Sequence, residues 1–236
     1  LFLIVHNNIT GAGVDTARRR LIQRMLFKRA TGIFVLSRYQ KNLIAQLFPE
    51  VPQVNVHKMR YHKTGVVRRI RLLAERRREI AFLGAITQER GLDTFLDLAE
   101  LDVGEKYSYR IYGKVNPNVE QRNRIATLYP KLQIVDRYLT DDEYHEVIAN
   151  AIFIALPFKK SLEGRLSGVL CYAISHGTPV IAANQEPHTD FFETYGDFGY
   201  LVDVDSKEEM QRCLAIPIES VWDKFQLAMD AARKDH

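Results

Sequence analysis

The chain has 236 residues, of which 46% are hydrophobic and 26% are charged, and its formal net charge at pH 7 is +4. This length and composition are typical of a globular protein that buries its core in one large domain or two small ones. No apolar run approaches the roughly 20 residues that a membrane-spanning helix needs. Cys171 and Cys213 lack metal or redox spacing and fit a reducing compartment, so we expect a cytoplasmic protein.

Basic residues are concentrated in two clusters. The first contains Arg18, Arg19, Arg20, Arg24, Lys28 and Arg29, and the second contains Arg68, Arg69, Arg71, Arg76, Arg77 and Arg78. The ordinary interpretation is that both clusters lie on solvated helix faces. The alternative is attraction to an anionic substrate or to anionic lipid, which would place the protein peripherally at the inner face of the membrane. No nucleic-acid motif accompanies either cluster, and we expect no nucleic-acid partner.

Strand and helix alternate along the first 60 residues. The pattern predicts strands at 1–5, 33–36 and 54–57, and helices at 15–29 and 37–48. Leu21, Ile22, Met25 and Leu26 lie on one face of the first predicted helix. Ser37 is the predicted N-cap of the second helix, and Gln40 three residues later completes a capping box.

The alternation becomes more regular after a basic stretch at 61–78, which we expect to be a linker. Strands are predicted at 80–83, 107–112, 132–135, 152–156, 180–182 and 200–202, with helices between them. This order predicts an α/β fold with a Rossmann-like parallel sheet and helices on both faces. Ligands of such sheets bind at the carboxyl ends of the strands, so the loops that begin with Gly84, Gly113 and Pro157 should converge on one crevice.

Residues 163–183 form a polar loop, a short helix and a buried strand in the predicted structure. Ser167 and Gly168 begin this helix, and Gly177 ends it. A helix N-terminus presents unpaired amide groups and the positive end of the helix dipole, which favour an anion such as phosphate. Glu163 lies just before this turn, where it can accept hydrogen bonds from sugar hydroxyls. The stretch therefore predicts a sugar-nucleotide pocket.

Four motifs together resemble a known enzyme family. They are FLGAITQERG at 82–91, LP at 156–157, EG at 163–164 and HGTPVIA at 176–182. Their order and spacing resemble the donor-binding half of retaining glycosyltransferases with the GT-B fold, of the kind grouped as family 4, over residues 79–203. Upstream, IVHN at 4–7 resembles a strand end in the family's N-terminal domain, and VLS at 35–37 resembles the last strand of that domain.

The resemblance implies a division of the chain into domains. Residues 1–65 would be a partial, acceptor-side Rossmann-like domain, and 66–215 would be the nucleotide-sugar-binding domain. Residues 216–236 would form a C-terminal helix that packs back on the N-terminal part. The expected fold class is GT-B with an incomplete N-terminal domain.

The resemblance also implies a site for the donor's diphosphate. Gly84 occupies the turn that approaches the phosphates, and Arg90 stands where the family has a lysine that neutralises them. Ala85 replaces the family's arginine, so one expected cation is missing. Arg165 can supply positive charge from the neighbouring loop, and the backbone of Leu166, Ser167 and Gly168 completes the predicted phosphate site.

The sugar and the ribose of the donor have their own predicted contacts. By resemblance, His6 hydrogen-bonds the donor sugar. Glu163 fits the first of two family glutamates that are separated by seven residues, and it would orient the sugar hydroxyls. The second glutamate normally binds the ribose, but its position holds Cys171, which cannot make a charged hydrogen bond.

The resemblance implies a retaining hexosyltransferase of polysaccharide biosynthesis. It would move a sugar from a UDP- or GDP-sugar to a glycan or lipid-linked acceptor. There is no Asp-x-Asp signature, so we expect neither a metal nor any cofactor besides the donor substrate. Because Ala85 and Cys171 depart from the family, the alternative is a non-catalytic nucleotide-sugar-binding homologue or a partner-binding module. A third hypothesis is a peripheral membrane module that docks through its arginines.

Overall fold

The structure is a computed structural model that describes residues 2–5, 17–51, 54–56 and 69–235. Its N-terminal part is a small parallel sheet with the strand order β1-β2-β3. The elements are β1 (Phe2–Val5), α1 (Ala17–Arg29), β2 (Gly32–Val35), α2 (Arg38–Leu47) and β3 (Val54–Val56). Both strand pairs are parallel, as the alternation of strand and helix predicts.

The rest of the chain forms a larger parallel sheet with the order β6-β5-β4-β7-β8-β9. Its strands are β4 (Arg77–Leu83), β5 (Ser108–Tyr112), β6 (Leu132–Val135), β7 (Ala151–Leu156), β8 (Val180–Ala183) and β9 (Gly199–Val202). The chain builds the sheet outward from β4 in one direction and then outward from β7 in the other. The loops after β4 and β7 therefore flank the crevice where such sheets bind ligands.

Helices cover this larger sheet. They are α3 (Leu92–Leu101), α4 (Val119–Leu128), α5 (Asp141–Asn150), α6 (Gly168–Ser175), α7 (His188–Tyr195), α8 (Lys207–Ala215) and α9 (Trp222–Asp235). Thr140 and Glu143 form a reciprocal capping box at the start of α5. All six residues of β7 are buried, because this central strand is covered on both faces. The predicted α/β fold with parallel sheets is confirmed.

Each sheet has its own hydrophobic core. In the smaller unit, a compact cluster contains Phe27, Ile33, Val35, Ile44 and Phe48. The larger core extends over both faces of its sheet and includes side chains of α9, which packs against α6 and α7. The predicted boundary at 65/66 lies outside the described residues, and the division into domains, including the return of the C-terminal helix to the N-terminal part, stays a prediction.

Helix α1 differs from the sequence expectation. Its predicted apolar face is exposed, with relative accessibilities of 59% for Leu21, 48% for Ile22, 53% for Met25 and 46% for Leu26. The helix instead turns Phe27 inward, where its ring meets that of Phe48 edge-on at 5.1 Å between centroids. Spacing along a helix identifies residues that share a face, but it does not say which face meets the sheet.

The second basic cluster is another difference, since the described part of it is not a solvated helix face. Arg76 is buried, and its guanidinium donates to the carbonyl oxygens of residues 149, 151, 176 and 177 and to Thr178 Oγ1. Arg71 pairs with Glu146, and Arg78 pairs with Glu219. These arginines join the start of the larger sheet to its helices because they satisfy carbonyls and carboxylates there. Within the described ranges, every helix is too short or too polar to cross a membrane.

Candidate functional site

Four loops meet at the carboxyl ends of the larger sheet. The amide of Gly84 after β4 donates to Tyr112 O at the end of β5, at 2.9 Å. The amide of Lys159 after β7 donates to Glu89 O, also in the β4–α3 loop, at 2.8 Å. Gly164 N donates to Glu186 O after β8 at 2.7 Å. These backbone bonds bring the predicted site loops together at one edge of the sheet.

Arg90 provides the central positive charge of this edge. Gly84 has a φ of +110°, and a Cβ added there would lie 3.2 Å from Arg90 Nη1, so the guanidinium rests against the Gly84 backbone. The guanidinium also lies over the ring of Phe158, at 5.5 Å from its centroid. Burial, followed by the charge of Arg165, lowers the pKa of Arg90. The two arginines repel each other, and an anion placed between them would relieve that repulsion.

The N-terminus of α6 adjoins these cations. Ser167 is its N-cap and is buried, but its side chain makes no capping hydrogen bond. The amides of the first turn are therefore not satisfied by the residue that normally serves them, and they carry the positive end of the helix dipole. Arg165 and Leu166 lead into this turn, and Gly168 begins the helix. The arrangement suits a diphosphate.

Glu163 lies at the opposite side of the same loop. Its carboxylate Oε1 is 2.5 Å from Lys160 Nζ, and 26% of its side chain is accessible. Burial first, and the charge of Glu163 next, raise the pKa of the Tyr39 hydroxyl on α2. The carboxylate can exchange the exposed ammonium of Lys160 for hydroxyl groups of a ligand. Such an exchange is the chemistry that a sugar-binding carboxylate needs.

The positions that depart from the family behave as uncharged residues. Cys171 is buried in the first turn of α6, and burial raises the pKa of its thiol to about 12, so it stays neutral. Ala85 is exposed and brings no side-chain donor to the β4–α3 loop. His6 lies outside the described residues, so its predicted contact with the sugar stays a prediction. In the part of the chain that the structure describes, no three His, Cys, Asp or Glu side chains group together as a metal site.

The first turn of α2 is a part of the site that the sequence did not indicate. The amide of Arg38 donates to Asp190 Oδ2 at 3.1 Å, and Gln40 Nε2 donates to Gly164 O at 3.2 Å. The predicted capping box is only half formed. Gln40 N donates to Ser37 Oγ, but the Gln40 side chain accepts from Leu36 N and not from the N-cap amide. The sequence signal was present, but local spacing could not show that Gln40 has a partner 124 residues away.

The loop after β8 was also missed. Buried polar atoms without a hydrogen-bond partner among the described residues include Glu186 Oε2, His188 Nε2 and Thr189 Oγ1. Burial raises the pKa of Glu186, and burial lowers the pKa of His188 to about 4. Buried polar atoms are nearly always hydrogen-bonded, so this segment beside the Glu163 loop is a further candidate for ligand contacts. Nothing in the sequence pattern singled it out.

Cations, a helix N-terminus and a carboxylate lie in the crevice of one parallel sheet, and its loops bond to a helix beside a second parallel sheet. This is the arrangement of the GT-B glycosyltransferases. The sequence profile of one family, glycosyl transferases group 1, matches residues 77–216. The chain therefore belongs to that family. No curated protein sequence matches the chain.

Solved structures with a similar fold include HepE from Anabaena in complex with UDP and glucose, at 15% identity and a TM-score of 0.72, covering 99% of this chain and 66% of that one. A mutant of S. aureus TarM in complex with Fondaparinux, alpha-GlcNAc-glycerol and UDP has 13% identity and a TM-score of 0.72, covering 99% and 47%. The pneumococcal O-GlcNAc transferase GtfA in complex with UDP and GlcNAc has 14% identity and a TM-score of 0.67, covering 99% and 50%. The chain thus spans between 47% and 66% of the length of these proteins, and the likeness concerns the fold.

Proposed function

We propose that the chain is the donor-binding part of a retaining, family 4 glycosyltransferase. It transfers a sugar from a UDP- or GDP-sugar to a glycan or lipid-linked acceptor. The observation that carries the proposal is the juxtaposition, at one edge of the sheet, of Arg90, the α6 N-terminus and Glu163. The first two suit a diphosphate and the third suits a sugar. Family membership supports the same reaction class.

The leaving diphosphate is held by protein charges in this proposal. Arg90 and Arg165 bind phosphate oxygens, and the backbone amides from Leu166 to Gly168 add the field of α6. Each charge-assisted hydrogen bond contributes about 1.5 to 3 kcal/mol. Because these groups neutralise the leaving group, transfer proceeds without a metal ion. Chelator in the assay should leave the rate unchanged, whereas a metal requirement would contradict this part of the proposal.

The sugar lies between Glu163 and His6 in the proposed complex. Glu163 accepts hydrogen bonds from its hydroxyls, and the acceptor attacks from the face of the leaving group, so that the anomeric configuration is retained. The product's anomeric proton coupling, measured by NMR immediately after transfer, reports this configuration. An inverted product would contradict the proposed mechanism.

The proposal is tested with a panel of nucleotides and one variant. A thermal-shift titration with UDP, GDP, dTDP and ADP should show saturable stabilisation by one of them, because a ligand that binds the folded state raises its stability. Glu163→Gln should leave that stabilisation in place and abolish release of the nucleoside diphosphate from its sugar nucleotide. No response to any nucleotide would contradict the proposal.

A non-catalytic nucleotide-sugar-binding or partner-binding role is the second candidate, because the family's ribose carboxylate is replaced by the buried, neutral Cys171. In that case the wild type would bind a nucleotide and release no product from any sugar nucleotide. Product release by the wild type separates the two candidates, and Cys171→Glu tests the ribose contact alone. It should tighten nucleotide binding if the lost contact limits affinity, and leave it unchanged if the ribose is held elsewhere.

For localisation, we propose a cytoplasmic protein that contacts anionic membrane peripherally through α1. This helix exposes Leu21, Ile22, Met25 and Leu26 and carries basic residues among and on either side of them, of which Arg24 lies between, a combination that suits a surface of anionic lipid. Vesicles with 30% phosphatidylglycerol should bind the chain at low salt and release it at 0.5 M salt. Leu21→Ser with Leu26→Ser should weaken the binding. Equal binding to neutral vesicles, or none to either, would contradict this proposal.

A further inference from the structure

Gln40 is a buried amide whose orientation is fixed by its neighbours. It is the third residue of α2 and is only 1% exposed. Its side-chain Oε1 accepts from Leu36 N at 2.8 Å, and its backbone N–H donates to Ser37 Oγ at 3.2 Å. Leu36 N can only donate, so the oxygen of the side chain must face it. The Nε2 group is therefore directed the other way, where it donates to Gly164 O at 3.2 Å.

The Gly164 backbone is held from two sides. Its φ is +78°, a left-handed conformation that suits glycine. Its amide donates to Glu186 O at 2.7 Å, and its carbonyl accepts from Gln40. The first bond orients the peptide that follows Glu163, and the second orients the peptide that precedes Arg165. These two bonds therefore set the direction in which both side chains leave the loop.

The residues next to Gln40 also connect the first turn of α2 to loops of the larger sheet. Arg38 N donates to Asp190 Oδ2 at 3.1 Å, and the charge of Glu163 contributes, after burial, to the raised pKa of the Tyr39 hydroxyl. The first turn of α2 therefore meets two loops of the larger sheet, at residues 160–164 and 186–190. Within this turn, Gln40 supplies the bond to the loop that carries Glu163.

We propose that Gln40 is a positioning residue that acts through the Gly164 carbonyl, holding Glu163 in the orientation that binds the donor's sugar. The inference rests on the proposed function of the site. Arg90 and the α6 amides hold the diphosphate without this bond, and Arg165, whose preceding peptide the bond orients, is the diphosphate contact that would be weakened together with Glu163. Loss of the Gln40 bond should therefore weaken binding of a sugar nucleotide more than binding of the bare nucleoside diphosphate.

The test compares calorimetric affinities for UDP and UDP-glucose, and for GDP and GDP-mannose, and uses the pair that the wild type binds. Gln40→Met keeps the side-chain volume and removes the donor. It should lower affinity for the sugar nucleotide at least tenfold and affinity for the nucleoside diphosphate by a smaller factor, because the diphosphate loses only the contribution of Arg165. Ser37→Ala is the matched control, because it removes the α2 cap and leaves the bond to Gly164. It should change neither affinity by more than twofold.

Gln40→Glu tests the role of the donated hydrogen bond through the pH dependence of affinity for the sugar nucleotide. A purely structural role of Gln40 would not produce that pH dependence. Its buried carboxyl donates to Gly164 O only when it is protonated, and burial favours the protonated form. Affinity of this variant for the sugar nucleotide should rise towards the wild-type value as pH falls from 8 to 6, whereas Gln40→Met stays weak throughout.

Equal losses for the sugar nucleotide and the nucleoside diphosphate, or a loss in Ser37→Ala that matches Gln40→Met, would overturn the inference and leave the proposed function intact. A wild type that binds no nucleotide would overturn the proposed function and, with it, this inference.

Discussion

Two of the helices that begin beside the candidate site, α2 and α6, have serine N-caps, and these two caps behave differently. At α2, Ser37 Oγ accepts from Gln40 N, and the turn is closed by its own side chains. At α6, Ser167 makes no side-chain cap bond, and Arg90 and Arg165 lie nearby. A serine N-cap thus stabilises α2 through its hydroxyl, whereas at α6 it leaves the amides of the first turn available to a hydrogen-bond acceptor of a ligand. The difference indicates which helix start is structural and which one suits a ligand.

The C-terminal end of α6 differs from its N-terminus, because the buried Arg76 side chain satisfies the backbone carbonyls there. Its guanidinium donates to His176 O, Gly177 O and Thr178 Oγ1 as well as to carbonyls of the α5–β7 junction. Arg76→Leu should lower the free energy of unfolding by at least about 3 kcal/mol, because several buried acceptors lose their donor at once. Urea unfolding measures the change. The exposed Arg122→Leu on α4 is the control, and an equal effect in both variants would contradict this role.

Substitutions beside the N-terminus of α6 should change the affinity for the nucleotide. Arg90→Ala removes a guanidinium that we place against the diphosphate, so nucleotide affinity should fall about 10- to 150-fold, the equivalent of 1.5 to 3 kcal/mol. Isothermal titration calorimetry measures the change. Arg122→Ala carries the same loss of charge far from the site and should bind like the wild type. Unchanged affinity in Arg90→Ala would show that Arg90 does not bind the diphosphate.

Low pH should lower the stability of the fold through His176, at the C-terminal end of α6. His176 Nε2 lies 2.8 Å from His145 Nδ1, and burial, then the charges of His145 and Arg76, lower the pKa of His176 to about 4. The unfolded chain, with an ordinary histidine pKa near 6.5, binds the proton more readily than the folded chain. Stability should therefore be full above pH 6.5 and decline towards pH 4, by about 1.4 kcal/mol per pH unit at most for this group. His176→Gln should flatten that decline in urea unfolding. An equally steep decline in this variant would assign the acid sensitivity to other groups.

The smallest expected effects are those of removing the two serine side chains. Ser37→Ala should lower the free energy of unfolding by about 1 kcal/mol, because it deletes a formed cap. Ser167→Ala should cost less, because its hydroxyl caps nothing. Differential scanning calorimetry of the two variants compares them directly. A larger loss at Ser167 than at Ser37 would reverse the assignment of the two helix starts.

The sequence predicted the alternation of the elements, the two parallel sheets and the position of the loop that carries Glu163, because these depend on local periodicity and on caps such as Thr140 with Glu143. It did not predict the burial of Arg76, since a run of arginines has the composition of a solvated surface. It also missed the bond from Gln40 to Gly164, which joins residues 124 positions apart. Such contacts depend on how the two sheets meet, and local spacing carries no information about that.

In the proposed complex the N-terminus of α6 receives the diphosphate of the donor. The most direct measurement is a calorimetric titration of Ser167→Asp with UDP and GDP beside the wild type. Aspartate caps a helix well, so the variant should fold at least as stably, and its carboxylate should occupy the first-turn amides and repel the phosphates. We predict that affinity for the nucleotide bound by the wild type falls at least tenfold. Unchanged affinity in a folded Ser167→Asp would contradict the account.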